Sequence, residues 1–175
     1  MPETEISDAL LVVRCQTGDQ EAWELLVRRW HPRLWRFILN MISDAAVAED
    51  ILQSVWLRTV RSMFQLQQPE RLPAWLFRVA RTVVADHLRD RYRQPVTTQV
   101  NEIAECENAD QRIDVVEEIE LGLERLHPND REVVVLHYLE GMSVAEVAEI
   151  CHIPSGTVKS RLSRARQILR ERLSS

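Results

Sequence analysis

Apolar residues recur at helical spacing through most of the first ninety positions. Trp23, Leu26, Val27 and Trp30 fall at i, i+3, i+4 and i+7, and Leu34, Phe37, Ile38 and Met41 repeat that spacing, which lines one face of a helix. Asp19 is placed to cap the first stripe, and Pro32, between the two, predicts a restart or kink. Ser43 and Asp44 open a third helix through Ala48, Ile51, Leu52, Val55, Trp56 and Val60. Its apolar surface is too wide for one buried stripe, so part of it should face a partner. A Gln- and Pro-rich loop, Phe64 to Pro73, leads to a fourth helix, Ala74 to about Arg91, with Leu76, Val79, Ala80, Val83 and His87 along one side. On the other side Arg78, Thr82 and Arg89 lie within about 40° of one another on a helical wheel, giving a polar, basic face flanked by Arg81.

The pattern then breaks. From Gln94 to Val115 there is a proline, a pair of threonines, and five acids (Glu102, Glu105, Glu107, Asp110, Asp114) against Arg112 alone, the composition of a flexible acidic linker. Periodicity returns at Val116, Ile119, Leu123 and Leu126, with Pro128 at a helix start and Gly141 at a helix end. Ser143-Val144-Ala145-Glu146 reads as a capping box. The short helix it opens has Val144, Val147, Ala148 and Cys151 on its inner face. After His152, Ile153 and Pro154 a last helix buries Val158, Leu162, Ala165 and Leu169. Two helices joined this tightly predict a helix-turn-helix. The first turn residue of such a motif commonly takes positive φ, and His152 stands where Gly would fit without strain.

The outward face of the last helix carries Lys159, Ser160, Ser163, Arg164 and Gln167, with Thr157 in its first turn and Arg161 at its edge. These are donors suited to phosphates and major-groove base edges. Residues 155–175 hold six basic side chains against Glu171, within a chain whose net charge is −5. Because non-specific DNA affinity comes mainly from cations displacing counterions, binding must be local or assisted. With 4 Gly and 7 Pro the chain lacks the turn chemistry of several hairpins or a phosphate loop, so the fold expected is all-α. No apolar run approaches roughly 18 residues and the N-terminus is acidic, which predicts neither a membrane span nor a signal peptide, hence a cytoplasmic protein. Cys15, Cys106 and Cys151 are an odd number at wide spacing, and Cys151 matches a core position; no metal or cofactor is expected. Two other classes compete at this point. A LuxR-type regulator would need an N-terminal sensing domain with strands and glycines, which does not appear. A small helical enzyme would need a convergent catalytic set, and the five histidines sit in separate elements without a recognisable motif.

Three segments together, AEDILQSVWLR (48–58), PAWLFRVARTVVADHLRDR (73–91) and REVVVLHYLEGMSVAEVAEICHIPSGTVKSRLSRAR (131–166), resemble the extracytoplasmic-function (ECF) sigma factors of the sigma-70 family. The resemblance implies two small helical domains, 1–94 and 116–175, joined by the linker 95–115, with the helix-turn-helix in the second. It implies that Asp50, Ile51, Gln53 and Trp56 meet the clamp helices of the largest subunit of core RNA polymerase. The second domain would meet the flap of the second subunit. Arg78, Thr82, Asp86 and Arg89 would handle the downstream promoter element, with the loop 64–73 capturing a flipped-out base; many relatives have Asn at the position of Thr82. Thr157, Lys159, Ser160, Arg161, Ser163 and Arg164 would read the upstream element. The resemblance further implies an anti-sigma factor as a restraining partner. The acidic linker would thread an RNA-binding channel of the polymerase.

Overall fold

A computed structural model of the chain describes residues 6–93 and 122–173, and every element there is helical. Helix α1, Asp8–Gln16, starts on Ser7, whose hydroxyl accepts from Leu10 N at 3.3 Å. Helix α2, Gln20–Ile42, starts on Asp19, which accepts from Ala22 N at 3.1 Å and pairs with Arg14 at 2.7 Å. That guanidinium and the α2 amides hold the Asp19 carboxyl below the ordinary carboxylate range. Ser43, at φ 61°, ends α2, and Asp44 caps α3, Ala45–Ser62, through the amides of Ala46 and Val47. Two 3₁₀ turns, Met63–Gln65 and Pro69–Arg71, lead into α4, Leu72–Arg93.

Pro32 does not divide its helix: both early stripes lie on the single helix α2. The ring and Arg28, the residue whose carbonyl loses its partner, are both exposed, so the missing bond falls on the solvent side of the helix and not in the core. Helix α4 begins two residues before Ala74, with Pro73 in the first turn, where a missing N–H costs little.

The first core gathers Leu26, Trp30, Leu34, Phe37 and Ile38 of α2, Ile51, Leu52 and Val55 of α3, and Leu76, Phe77 and Ala80 of α4. Phe77 meets Trp30 and Phe37 edge-on, with centroids 6.1 and 5.5 Å apart. Such contacts add to the ~1.5–3 kcal/mol that burying each large apolar side chain contributes.

The second half begins with a helical turn at 122–124, followed by α5, Pro128–Val134, which runs on into a π-helical turn, Val135–Leu139. Helix α6 is Val144–Cys151 and α7 is Ser155–Leu173. Their core is Leu123, Leu126, Val133 to Leu136, Met142, Val147, Ile150, Cys151, Val158, Leu162 and Ala165. The acidic segment expected as a linker over 95–115, with Cys106, Val116 and Ile119, lies outside the described residues. The two halves are packed against each other, α2 on α5 and its π turn, α4 on α6. No helix among the described residues is long and apolar enough to cross a membrane.

Candidate nucleic-acid and protein-binding surfaces

The turn between α6 and α7 is built from local chemistry. Ser143 Oγ accepts from Glu146 N at 3.2 Å and the Glu146 carboxylate accepts from Ser143 N at 2.8 Å, the reciprocal bonds of a capping box. At the other end His152 adopts φ 54°, ψ 45°, the left-handed conformation expected of the first turn residue. Ile153 N then reaches back to Ala148 O at 3.1 Å, closing α6 as a left-handed C-cap does. Burial pushes the Cys151 thiol up to about 12 and the Cys15 thiol up to about 11, so both are protonated core side chains.

Helix α7 turns Val158, Leu162 and Ala165 inward and leaves Lys159, Ser160, Ser163 and Arg164 exposed, with Thr157 and Arg161 half-buried. The outward residues differ in how far they are committed. Ser160 Oγ donates to Thr157 O at 2.9 Å, and Arg161 reaches Asn129 O at 3.4 Å. Arg164 donates from Nε and Nη2 to the two oxygens of Asp130, at 2.8 and 2.7 Å, and the Asp130 side chain is only 2% exposed. The two-donor edge expected to read a base is therefore engaged within the protein, fastening α7 to the first turn of α5. Its hydrogen bonds to Asp130 raise the Arg164 pKa further. Lys159 and Ser163 make no side-chain hydrogen bond or ion pair among the described residues.

On α3, Asp50 and Gln53 are exposed and Trp56 is half-buried, but Ile51 is 2% exposed and belongs to the core. Ile51 follows Asp50 by 100° around the helix, which turns it inward, so the outward patch does not include it. In its place stand Leu57, Val60 and, just beyond the helix, Phe64, which are 59%, 56% and 70% exposed. These residues share the face of Asp50 and Gln53; Val60 belongs to the wide stripe, whereas Leu57 and Phe64 lie outside it and only their helical phase relative to Asp50 and Gln53 could have placed them.

The basic side of α4 is occupied. Arg78 lies 3.6 Å from Glu149 of α6, and Arg81 pairs with Glu132 of α5 at 2.8 Å. Arg71, from the turn before α4, also bonds Glu149. Asp86 is held between Arg58, at 3.3 Å, and Arg89, at 3.1 Å, and Thr82 Oγ1 donates back to Arg78 O at 2.8 Å. A cavity of about 350 Å³ lies where the 64–71 segment, α4 and α6 meet, lined by Gln65, Leu66, Gln67, Gln68, Arg71, Ala74, Trp75, Arg78 and Glu149.

A further pairing had no sequence signal. Glu140, after the π turn and before Gly141 at φ 73°, has a fully buried side chain. It accepts from Arg33 Nε at 2.9 Å and from Arg36 Nε and Nη2 at 2.9 and 2.7 Å. Arg33 also donates to Glu140 O at 2.8 Å and stacks over the Trp30 ring at 4.3 Å, a cation–π contact that fixes its plane.

The chain thus carries, in order, an exposed apolar patch on α3, a basic α4 side paired with carboxylates of the other half, and an α7 face with free donors at Lys159 and Ser163. Residues 26–94 match the family model for sigma-70 region 2, and residues 117–169 match that for sigma-70 region 4. The ECF RNA polymerase sigma factor SigC of Mycobacterium tuberculosis is 31% identical over 163 residues, covering 91% of this chain and 87% of that protein. The chain belongs to the ECF sigma factors of the sigma-70 family. The RNA polymerase sigma factor CarQ of Myxococcus xanthus is 32% identical over 91% of this sigma factor and 94% of its own length. Among solved structures, CnrH in complex with the cytosolic domain of CnrY matches with a TM-score of 0.71 at 25% identity, covering 95% of this chain and 97% of that one. The sigma factor RpoE of Bartonella quintana, in complex with the anti-sigma factor NepR, matches with a TM-score of 0.70 at 26% identity, covering 87% and 96%. As a sigma factor the protein directs promoter-specific initiation of transcription.

Proposed function

We propose a division of labour among the surfaces of this sigma factor. The outward face of α3, with Asp50, Gln53, Trp56, Leu57 and Val60, docks on the clamp helices of core RNA polymerase. Helix α7 enters the major groove of the upstream promoter element with Lys159, Ser160 and Ser163, Thr157 and Arg161 lying at its edge. Arg164 positions that helix through Asp130 and offers its remaining N–H groups to phosphate. Helix α4 and the 64–71 segment act on the opened downstream element, with Arg78, Thr82 and Arg89 beside a cleft that can hold an unstacked base. Asp86 serves as the brace between Arg58 and Arg89. The protein works in the cytoplasm, by binding and not by catalysis, as domains 1–94 and 116–175 joined by the acidic segment 95–115. The second domain also meets the flap of the polymerase's second subunit, and an anti-sigma factor restrains the whole.

The observation that carries this reading is the capped two-helix turn whose second helix is sealed on one face and presents uncommitted donors on the other. The net charge of −5 fits a factor that finds promoters only after joining a polymerase with its own basic channel. Its test is a pair of variants. Asp50→Ala with Gln53→Ala should weaken binding to core polymerase, and Lys159→Ala with Ser163→Ala should leave that binding intact while reducing initiation at a duplex promoter. Equal core affinity of the first variant and its parent removes α3 from the docking surface.

A further inference from the structure

The seam between the halves is a row of carboxylates from the second half set against guanidinium groups of the first. Glu140 lies on Arg33 and Arg36, Glu132 on Arg81, and Glu149 on Arg71 and Arg78. Only Glu149 faces the cleft at the head of α4. One of its carboxylate oxygens bonds Arg71 Nη2, and the other lies 3.6 Å from Arg78 Nη1. Two guanidinium groups on the two oxygens of one anion is an arrangement that suits a phosphodiester equally well, because planar forks match both groups.

We propose that Arg71 and Arg78 together form a seat for one backbone phosphate of the opened promoter strand, and that Glu149 fills this seat in the closed chain as an internal competitor. The proposal rests on the reading of α4 as the strand-handling helix and adds Arg71, which the motif segments do not include, to its contacts. Glu149 and Arg71 are 37% and 48% exposed, so their pairing alone is weak. Its effectiveness comes from tethering. The fully buried Glu140 in the Arg33–Arg36 clasp ties the second half to α2, and α6 packs directly on α4, which together keep the Glu149 carboxylate at high local concentration beside the seat. A strand phosphate must displace it, and parting of the halves removes it. The gaps between the Gln side chains and Trp75 beside the seat are then open to the attached base.

The test measures binding of a fluorescein-labelled single-stranded oligonucleotide carrying the downstream promoter element to the full chain, by anisotropy at fixed salt. Glu149→Gln should tighten binding about three- to fivefold, the range expected on releasing an ion pair this exposed. Adding Arg71→Gln in the Glu149→Gln background should remove that gain and lower the salt slope by about one phosphate contact. Affinity of Glu149→Gln equal to or weaker than the parent overturns the competitor, and an undiminished gain in the double variant overturns the seat. Run-off transcription by core polymerase with the parent chain separates the two levels. Initiation by the parent with no gain in Glu149→Gln rejects the competitor and leaves the sigma reading standing, whereas no initiation by the parent rejects the sigma reading and the seat with it.

Discussion

Replacing Arg164 with Ala takes both hydrogen bonds from a carboxylate that is almost wholly withdrawn from water. Asp130 is 2% exposed and its two oxygens are held at 2.7 and 2.8 Å. Breaking a fully buried pair costs about 3–5 kcal/mol. Here the Arg164 side chain is 62% exposed, which lowers the worth of the pair, and the α5 N-terminus offers Asp130 some compensation, so the expected loss is roughly 2 kcal/mol. The loss should be confined to the second half, and the chain carries its own reporter for that. All five tryptophans, Trp23, Trp30, Trp35, Trp56 and Trp75, lie in the first half. In a urea titration tryptophan emission therefore follows the first half, while far-UV circular dichroism follows both. Arg164→Ala should shift the dichroism transition to lower urea by more than the fluorescence transition, and Arg164→Lys, which keeps the charge but not the fork, should fall between variant and parent. A loss below about 0.5 kcal/mol together with abolished binding to upstream duplex would contradict this reasoning, and would return Arg164 to a base edge.

Leu57→Glu with Val60→Glu should lower affinity for core polymerase at least about tenfold, the scale of a lost interface hot spot, with helical content unchanged because both side chains are mostly exposed. Surface plasmon resonance against immobilised core checks this. A Cβ added at Gly122 would lie 2.8 Å from Leu169 Cδ2, the tip of a side chain that can turn aside, and Ala favours the helical turn more than Gly, so Gly122→Ala should change the stability of the second half by less than about 1 kcal/mol, read in the same urea titration. Burial holds the thiols of Cys15 and Cys151 at about 11 and about 12, above the ordinary thiol value. Their contribution to stability is complete below the unfolded-state thiol pKa and is lost as pH rises through those folded values. Peptide mass spectrometry after iodoacetamide at pH 8.5 should find both sites unmodified in the native chain and alkylated in urea.

What could be read from the sequence was what neighbouring residues decide among themselves. The cap at Asp19, the helix start at Ser43–Asp44, the Ser143–Glu146 box and the left-handed turn at His152 all act within six residues, and each is where the pattern placed it. The excess apolar width of α3 pointed to an exposed patch and included Val60, but Ile51 went to the core while Leu57 and Phe64, outside the stripe, joined Val60 on the surface. Of the two outcomes that Pro32 allowed, a restart did not occur: α2 runs through it as one helix, with the proline on the exposed side. The ion pairs lay beyond reach. Arg164 and Asp130 are 34 positions apart, and Arg33 and Glu140 are 107; charge pairs at such separations leave no periodicity, so residues that look like free cations on a helical wheel turn out to be engaged. The face of α4 read as basic and open was the clearest instance, since Glu132 and Glu149 of the other half cover Arg81 and Arg78.

The most direct test of the account is promoter-specific transcription in a defined system. Core RNA polymerase alone, the purified chain alone, and the two together are compared on the chain's own promoter fragment, with duplex binding followed by footprinting at physiological salt. The account predicts specific transcripts and protection of both promoter elements only when chain and core are combined, with weak duplex binding by the chain alone. Tight, sequence-specific protection by the isolated chain, with no transcript when core is added, would contradict it.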